Sequence, residues 1–245
     1  MAITTEQLRD GTFRFHGRAV NITKAKKQAL KPFGKQILNY GQTLRLLPTP
    51  EQAAALSQQI GNARFVRNHY LNERIQMYRE EKKTLSVPAY KKEYLPKLKE
   101  ENAFLSASDK FALESALEQA DSAYQNFFSG RGSFPKFVSK SKPNGNRYTT
   151  KQTNNNIALV ENKDGLPCIK LPKIGLVRIV LPKGKTLSGL CPSGTAIRKA
   201  TVTRQGNRYE VSLGMETVID EIRPVEEVSV SEILSADMGL KDFAV

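Results

Sequence analysis

The spacing of apolar residues changes character at Gly130, and that change rules out a single repeating architecture. From Thr49 to Gly130 apolar residues recur at helical steps; after it, short aliphatic runs alternate with Pro, Gly and Asn. Thr49-Pro50-Glu51-Gln52 marks a helix start. Thr49 can cap, Pro50 takes the first helical position, and Gln52 is placed to complete a capping box. From there Leu56, Ile60, Ala63, Val66, Tyr70 and Ile75 can share one face, which predicts a helix to about residue 82. A shorter helix is predicted after Ser86, with Tyr90, Tyr94 and Leu95 inward. A third is predicted over 109–128, where Phe111, Leu113, Ala116, Leu117, Ala120, Tyr124, Phe127 and Phe128 belong to a broad apolar stripe.

Beyond Gly130, runs at 157–160, 168–171, 176–181, 200–204 and 208–213 predict strands, the last two joined by a hairpin turn at Gln205-Gly206-Asn207. An earlier alternating run at 42–47 ends at Pro48. The expected fold class is therefore α+β: a small β-barrel of oligonucleotide-binding size, begun by residues 42–48, split by helices over 49–130, and resumed over 131–222. Residues 1–41 crowd Lys24, Lys26, Lys27, Lys31 and Lys35 around Pro32 and Gly34 without a sustained apolar period. They are expected to form a basic extension draped on RNA.

The chain carries 38 Lys and Arg against 24 Asp and Glu, and the excess is unevenly placed. Residues 131–204 hold fifteen bases and two acids, residues 1–47 nine and two, whereas 48–130 balance at eleven each. Residues 215–245 reverse sign, with eight acids and two bases. A whole basic region beside a neutral helical one points to a polyanionic partner, nucleic acid above all. Cys168 and Cys191 lack metal-ligand spacing, and His16 and His69 each stand without a second histidine, so neither a zinc site nor a hydrolytic triad is supported. No apolar run approaches the roughly 18 residues that span a bilayer, and the first ten residues lack a signal-peptide core. The expected location is the cytoplasm, with no membrane partner.

Residues 134–142 interleave Phe134 and Phe137 with Lys136, Lys140 and Lys142. The rings can stack on bases while the lysines neutralise phosphates, or they can pack one end of the barrel. Arg147 opens a polar run to Asn156 whose amides can read base edges or simply form a loop. Near the end of the chain, residues 233–239 suggest an apolar strand that delivers Asp237 to a glycine turn, where a carboxylate suits Mg2+.

In order, residues 44–52 (LRLLPTPEQ), 61–68 (GNARFVRN), 109–128 (opening DKFAL and closing AYQNFF), 134–137 (FPKF), 153–157 (TNNNI), 171–175 (LPKIG) and 237–244 (DMGLKDFA) resemble TnpB, the transposon-encoded RNA-guided DNA endonuclease family related to type V CRISPR effectors. The resemblance implies a wedge barrel with its first strand at 42–48, a helical recognition domain over 49–130, the rest of the wedge over 131–222, and the start of a RuvC nuclease domain over 223–245. It implies a guide RNA and target double-stranded DNA as partners of a monomer in a prokaryotic nucleoid. Lys110, Phe111, Glu114, Thr153 and Asn154 correspond to positions that read a target-adjacent motif. Glu114 stands where some relatives have Gln, which favours a base amino group such as that of cytosine. Asp237 corresponds to the first catalytic, metal-holding RuvC carboxylate, for Mg2+ or Mn2+. The remaining RuvC acids and a four-cysteine zinc module are expected beyond residue 245, which leaves the site incomplete and these 245 residues inactive by themselves. A guide-directed repressor or RNA-binding autoregulator without cleavage is the alternative; a strand-joining transposase lacks a His-x-His or tyrosine setting.

Overall fold

The computed structural model describes residues 4–8, 13–16 and 22–221. They belong to two compact units, a larger one over 39–216 and a smaller one drawn from the flanking parts on both sides. In the smaller unit, β1 (Thr4–Gln7) and β2 (Phe13–His16) pair antiparallel, and α1 (Ile22–Leu30) follows. Phe13 meets Phe33 edge-on at 5.5 Å. A single 3-10 turn, Lys31–Phe33, ends at Gly34 in the left-handed region at φ 58, a conformation that glycine adopts without a Cβ penalty. Within the basic extension expected over 1–41, the described part holds a hairpin and a helix.

The strand expected from residue 42 in fact begins seven residues earlier, as β3 (Lys35–Leu47). Leu44 and Leu46 alternate inward, but towards the start only Ile37 is buried while Leu38 is 42% exposed. That part carries no clean period-2 signal. Its end is held by Lys35 Nζ on Asp220 Oδ1 at 2.5 Å and by Glu221 N donating to Gly34 O at 2.9 Å.

In the larger unit three helices follow β3: α2 (Pro50–Glu81), α3 (Val87–Glu101) and α4 (Lys110–Phe128). Their starts are the predicted ones. Thr49 Oγ1 accepts from Gln52 N while Gln52 Oε1 accepts from Thr49 N, a complete capping box; Ser86 and Asp109 cap the other two. Then come β4 (Arg147–Lys151), β5 (Ala158–Glu161), β6 (Pro167–Leu171), β7 (Gly175–Val180), the short α5 (Leu187–Leu190), β8 (Ala196–Gln205) and β9 (Arg208–Asp220). Seven strands form one antiparallel sheet in the order β4-β8-β9-β3-β7-β6-β5. The order is linear, with β4 and β5 as edges, so the fold is α+β around a coherent sheet. β4 went unpredicted because its five residues, Arg147–Lys151, include no aliphatic side chain. The β8–β9 hairpin turns as expected, with Gln205 opposite Arg208 and Gly206 at φ 60.

Two cores fill the larger unit, and α2 and α4 serve both. On the sheet side, Leu56, Ile60, Ala63, Ala112 and Ala116 pack with Leu44, Ile169, Val177, Val211 and Leu213. On the helical side, Val66, Tyr70, Leu113, Leu117 and Ala120 pack with Tyr90, Leu98 and Leu105. The two sets lie on adjacent stripes of α4, but follow one another along α2. The helices over 49–130 are therefore an insertion in sequence and share an interior with the sheet in space. Among the described residues no helix is long and apolar enough to cross a membrane.

Candidate nucleic-acid interface

Buried amides of α2 set the start of α4. Gln59 accepts from Asp109 N at 3.0 Å and donates to Ala107 O at 3.3 Å, while Asn62 donates to Phe104 O and to Ser108 Oγ at 2.6 Å. Asp109 is itself buried. Its carboxylate accepts from Phe111 N at 3.1 Å and from the Thr150 hydroxyl of β4 by a short hydrogen bond. One carboxylate thus joins α4 to the edge strand. Asp109→Ala removes a cap worth about 1 kcal/mol and orphans a buried hydroxyl at about 1–3 kcal/mol. Urea denaturation should therefore show roughly 3 kcal/mol lost, with Asp109→Asn clearly milder; equal stability of Asp109→Ala and the unmodified protein would refute this role.

Residues 64–68 anchor the basic segment that follows α4. Asn68 both donates to Val138 O and accepts from Val138 N, each at 2.9 Å; Arg64 donates to Gly145 O at 2.7 Å, and Arg67 to Lys136 O at 3.3 Å. Gly145 is obligatory there, since a Cβ would stand 1.9 Å from Ser139 O. The side chains of Lys136, Lys140 and Lys142 remain exposed. Phe134 packs edge-on against Tyr124 and Phe127 of α4, at 5.7 and 5.3 Å, while Phe137 is 53% exposed.

The polar run after β4 divides its labour. Gln152 Oε1 accepts from Ile157 N, Asn156 Oδ1 accepts from Thr153 N, and Asn156 Nδ2 donates to Lys151 O, so these two amides build the loop. Thr153, Asn154 and Asn155 are left exposed at its tip, the two asparagines left-handed at φ 50 and 55, which Asn tolerates. The loop base hangs on β8, where Gln152 N donates to Arg198 O at 2.9 Å. Arg198 is the extra residue of a β-bulge, and two successive residues, Arg198 and Lys199, face outward there.

At the start of α4, Lys110 is exposed, Phe111 is half-buried and Glu114 is largely covered. Lys91 Nζ holds Glu114 Oε1 at 2.9 Å, and Lys110 Nζ lies 4.0 Å away, at the edge of a cleft of about 390 Å3. One turn further along α4, Glu118 takes the ion pair of Lys151 at 2.5 Å. The expected motif-reading residues thus lie on two elements that are cross-tied, and Arg147 sits at the other end of β4.

Between α4 and β4 runs a groove of about 440 Å3 whose walls include Arg67, Arg147, Lys151 and Lys199. Its one carboxylate, Glu118, is already paired with Lys151. Arg67, Lys151 and Lys199 were not anticipated as site residues; a bulge that turns Lys199 outward leaves no sequence signal. His69, which the sequence left isolated, bonds Tyr90 Oη through Nδ1 at 2.8 Å and has Glu73 at 3.9 Å by helical i,i+4 spacing, a structural setting within the helical core. Asp237 and the expected RuvC start lie outside the described residues. Among those described, no three His, Cys, Asp or Glu side chains gather in a metal-holding group.

The family of helix-turn-helix domains named HTH_OrfB_IS605 matches residues 40–83. A Streptomyces pristinaespiralis protein named, provisionally, an RNA-guided DNA endonuclease is 36% identical over 99 residues, 40% of this chain. The family match covers the first two of the seven ordered motifs, residues 44–52 and 61–68. Both matches support an assignment to the TnpB family. The aligned stretch spans only a quarter (25%) of that relative's length. The stretch matched as helix-turn-helix is the end of β3, a two-residue connection, the whole of one continuous helix and the two residues after it, so its label does not describe its shape.

Proposed function

We propose that this chain is the nucleic-acid-binding part of an RNA-guided DNA endonuclease, which binds a guide RNA, reads a short motif beside its DNA target, and cleaves DNA at a RuvC site containing Asp237. The cation-rich groove between α4 and β4 carries the reading: its four bases face one already neutralised acid. The sequence extends the same surface, since residues 122–160 hold six Lys and Arg and no acid. Such a surface binds phosphodiesters through charge and releases their counterions.

Lys110, Phe111, Glu114, Thr153 and Asn154 are assigned to the target-adjacent motif. Lys91 fixes the Glu114 carboxylate in one orientation, and a carboxylate accepts from two further directions while paired. A bound Mg2+ or Mn2+ pair would supply an activated water and stabilise the leaving oxygen. One aspartate does not make such a site, so Asp237 is assigned to it by resemblance. In a randomised-motif depletion assay with the full-length protein, Glu114→Gln should shift the preferred bases and Asn154→Ala should relax them, both sparing RNA binding. Unchanged preferences in both variants would remove these residues from the motif-reading set.

A further inference from the structure

The inner part of the α4–β4 groove contains more hydrogen-bond donors and positive charge than the protein itself satisfies. Arg67 reaches it from α2 and Arg147 from the start of β4, and among the described residues neither guanidinium meets a carboxylate within ion-pair distance. Burial and the positive charge of Arg147 both work against the charged form of Arg67. Ser115 of α4 lines the same groove; it is 4% exposed, and its hydroxyl has no hydrogen-bond partner. A small extension of about 20 Å3, lined again by Arg67 and Arg147, is walled by Tyr148, whose hydroxyl is likewise buried and unpartnered.

Buried polar groups in folded proteins are nearly always paired, so two orphans beside two unneutralised guanidiniums call for a missing acceptor. Water could satisfy the hydroxyls but leaves the charge. Guanidinium offers donors only, in a fork that matches phosphate oxygens. We infer that Arg67, Arg147 and Ser115 form a discrete pocket for one phosphate group, within the groove and apart from the motif-reading residues. The pocket rests on the nucleic-acid reading for its biological ligand, a backbone phosphate, while its capacity for phosphate is testable without it.

Two measurements separate these points. At fixed ionic strength, inorganic phosphate in place of chloride should raise the melting temperature of the unmodified protein by several degrees. Arg147→Gln, at an exposed strand start, should lose most of that rise, as should Arg67→Gln. Ser115→Ala should weaken the response while leaving the melting temperature without phosphate unchanged or higher, because its hydroxyl has no partner to lose. In filter binding to a short random duplex DNA, the slope of log K against log salt should become shallower by about 0.9 for each phosphate contact removed by Arg67→Gln or Arg147→Gln. An equal phosphate response in the unmodified protein and all three variants, an adventitious ion only, overturns the pocket. A phosphate response confined to the unmodified protein, in a chain that binds neither RNA nor DNA, upholds the pocket and overturns the functional reading.

Discussion

Raising monovalent salt from about 50 to 200 mM should weaken the complex of this chain with RNA by roughly 10³-fold or more, the loss that six or more phosphate contacts produce. The count comes from cationic side chains of the groove and of the segment that follows α4. Arg67, Arg147, Lys151 and Lys199 line the groove, and Lys136, Lys140 and Lys142 are exposed on the segment that Asn68 and Arg64 clamp to α2. Among the described residues, only Lys151 of the groove cations is engaged by an acid, Glu118. Since the clamped segment is held at its backbone, through Lys136 O, Val138 and Gly145 O, its lysine heads are free to meet phosphates. Filter binding across that salt range measures the slope directly. A flat response would mean that the cations are a solvated face and that RNA is not a partner.

Asp237→Ala in the full-length protein should abolish guide-dependent DNA cleavage while RNA and target binding persist. The two halves of this expectation rest on different grounds. Loss of cleavage follows from the resemblance that places Asp237 first among the RuvC carboxylates, since two-metal hydrolysis fails when the ions lose a ligand. Persistence of binding follows from the fold, because the groove, the 152–157 loop and the start of α4 are built within residues 39–216 by their own hydrogen bonds. Cleavage products on a denaturing gel, beside a mobility-shift measurement, read both. Cleavage retained by the variant would strike Asp237 from the site. Binding without cleavage in the unmodified full-length protein would favour the repressor alternative.

Helix starts were legible because they rest on local chemistry: a cap at Thr49, Ser86 or Asp109 acts within three residues of itself. The hairpin at Gly206 was legible for the same reason. β4 was hidden because its inward face is Tyr148 and Thr150, and Thr150 is inward only to meet Asp109, forty-one residues away. The early half of β3 was hidden because Asp220 and Glu221, which hold its end, come from the far side of the sequence. At the site, charge was readable and placement was not. Gln152 and Asn156 look like their neighbours Asn154 and Asn155 in sequence, yet the first pair closes the loop and the second pair faces solvent. Arg67 belongs to a helix whose apolar stripe says nothing of which of its basic residues will meet β4.

The double service of α2 has a mechanical consequence. A helix of 32 residues is about 48 Å long, and here its first half is cemented among strands and its second among helices. The helix is continuous between the two ends, so in the proposed complex the span between a contact on the sheet and a contact on the helical lobe would be set before nucleic acid arrives, as in a fixed-gauge caliper. A ligand shifted by one base step, about 3.4 Å along a strand, cannot be followed by a swing of one lobe. In the proposed complex, register would then be set by length as well as by chemistry.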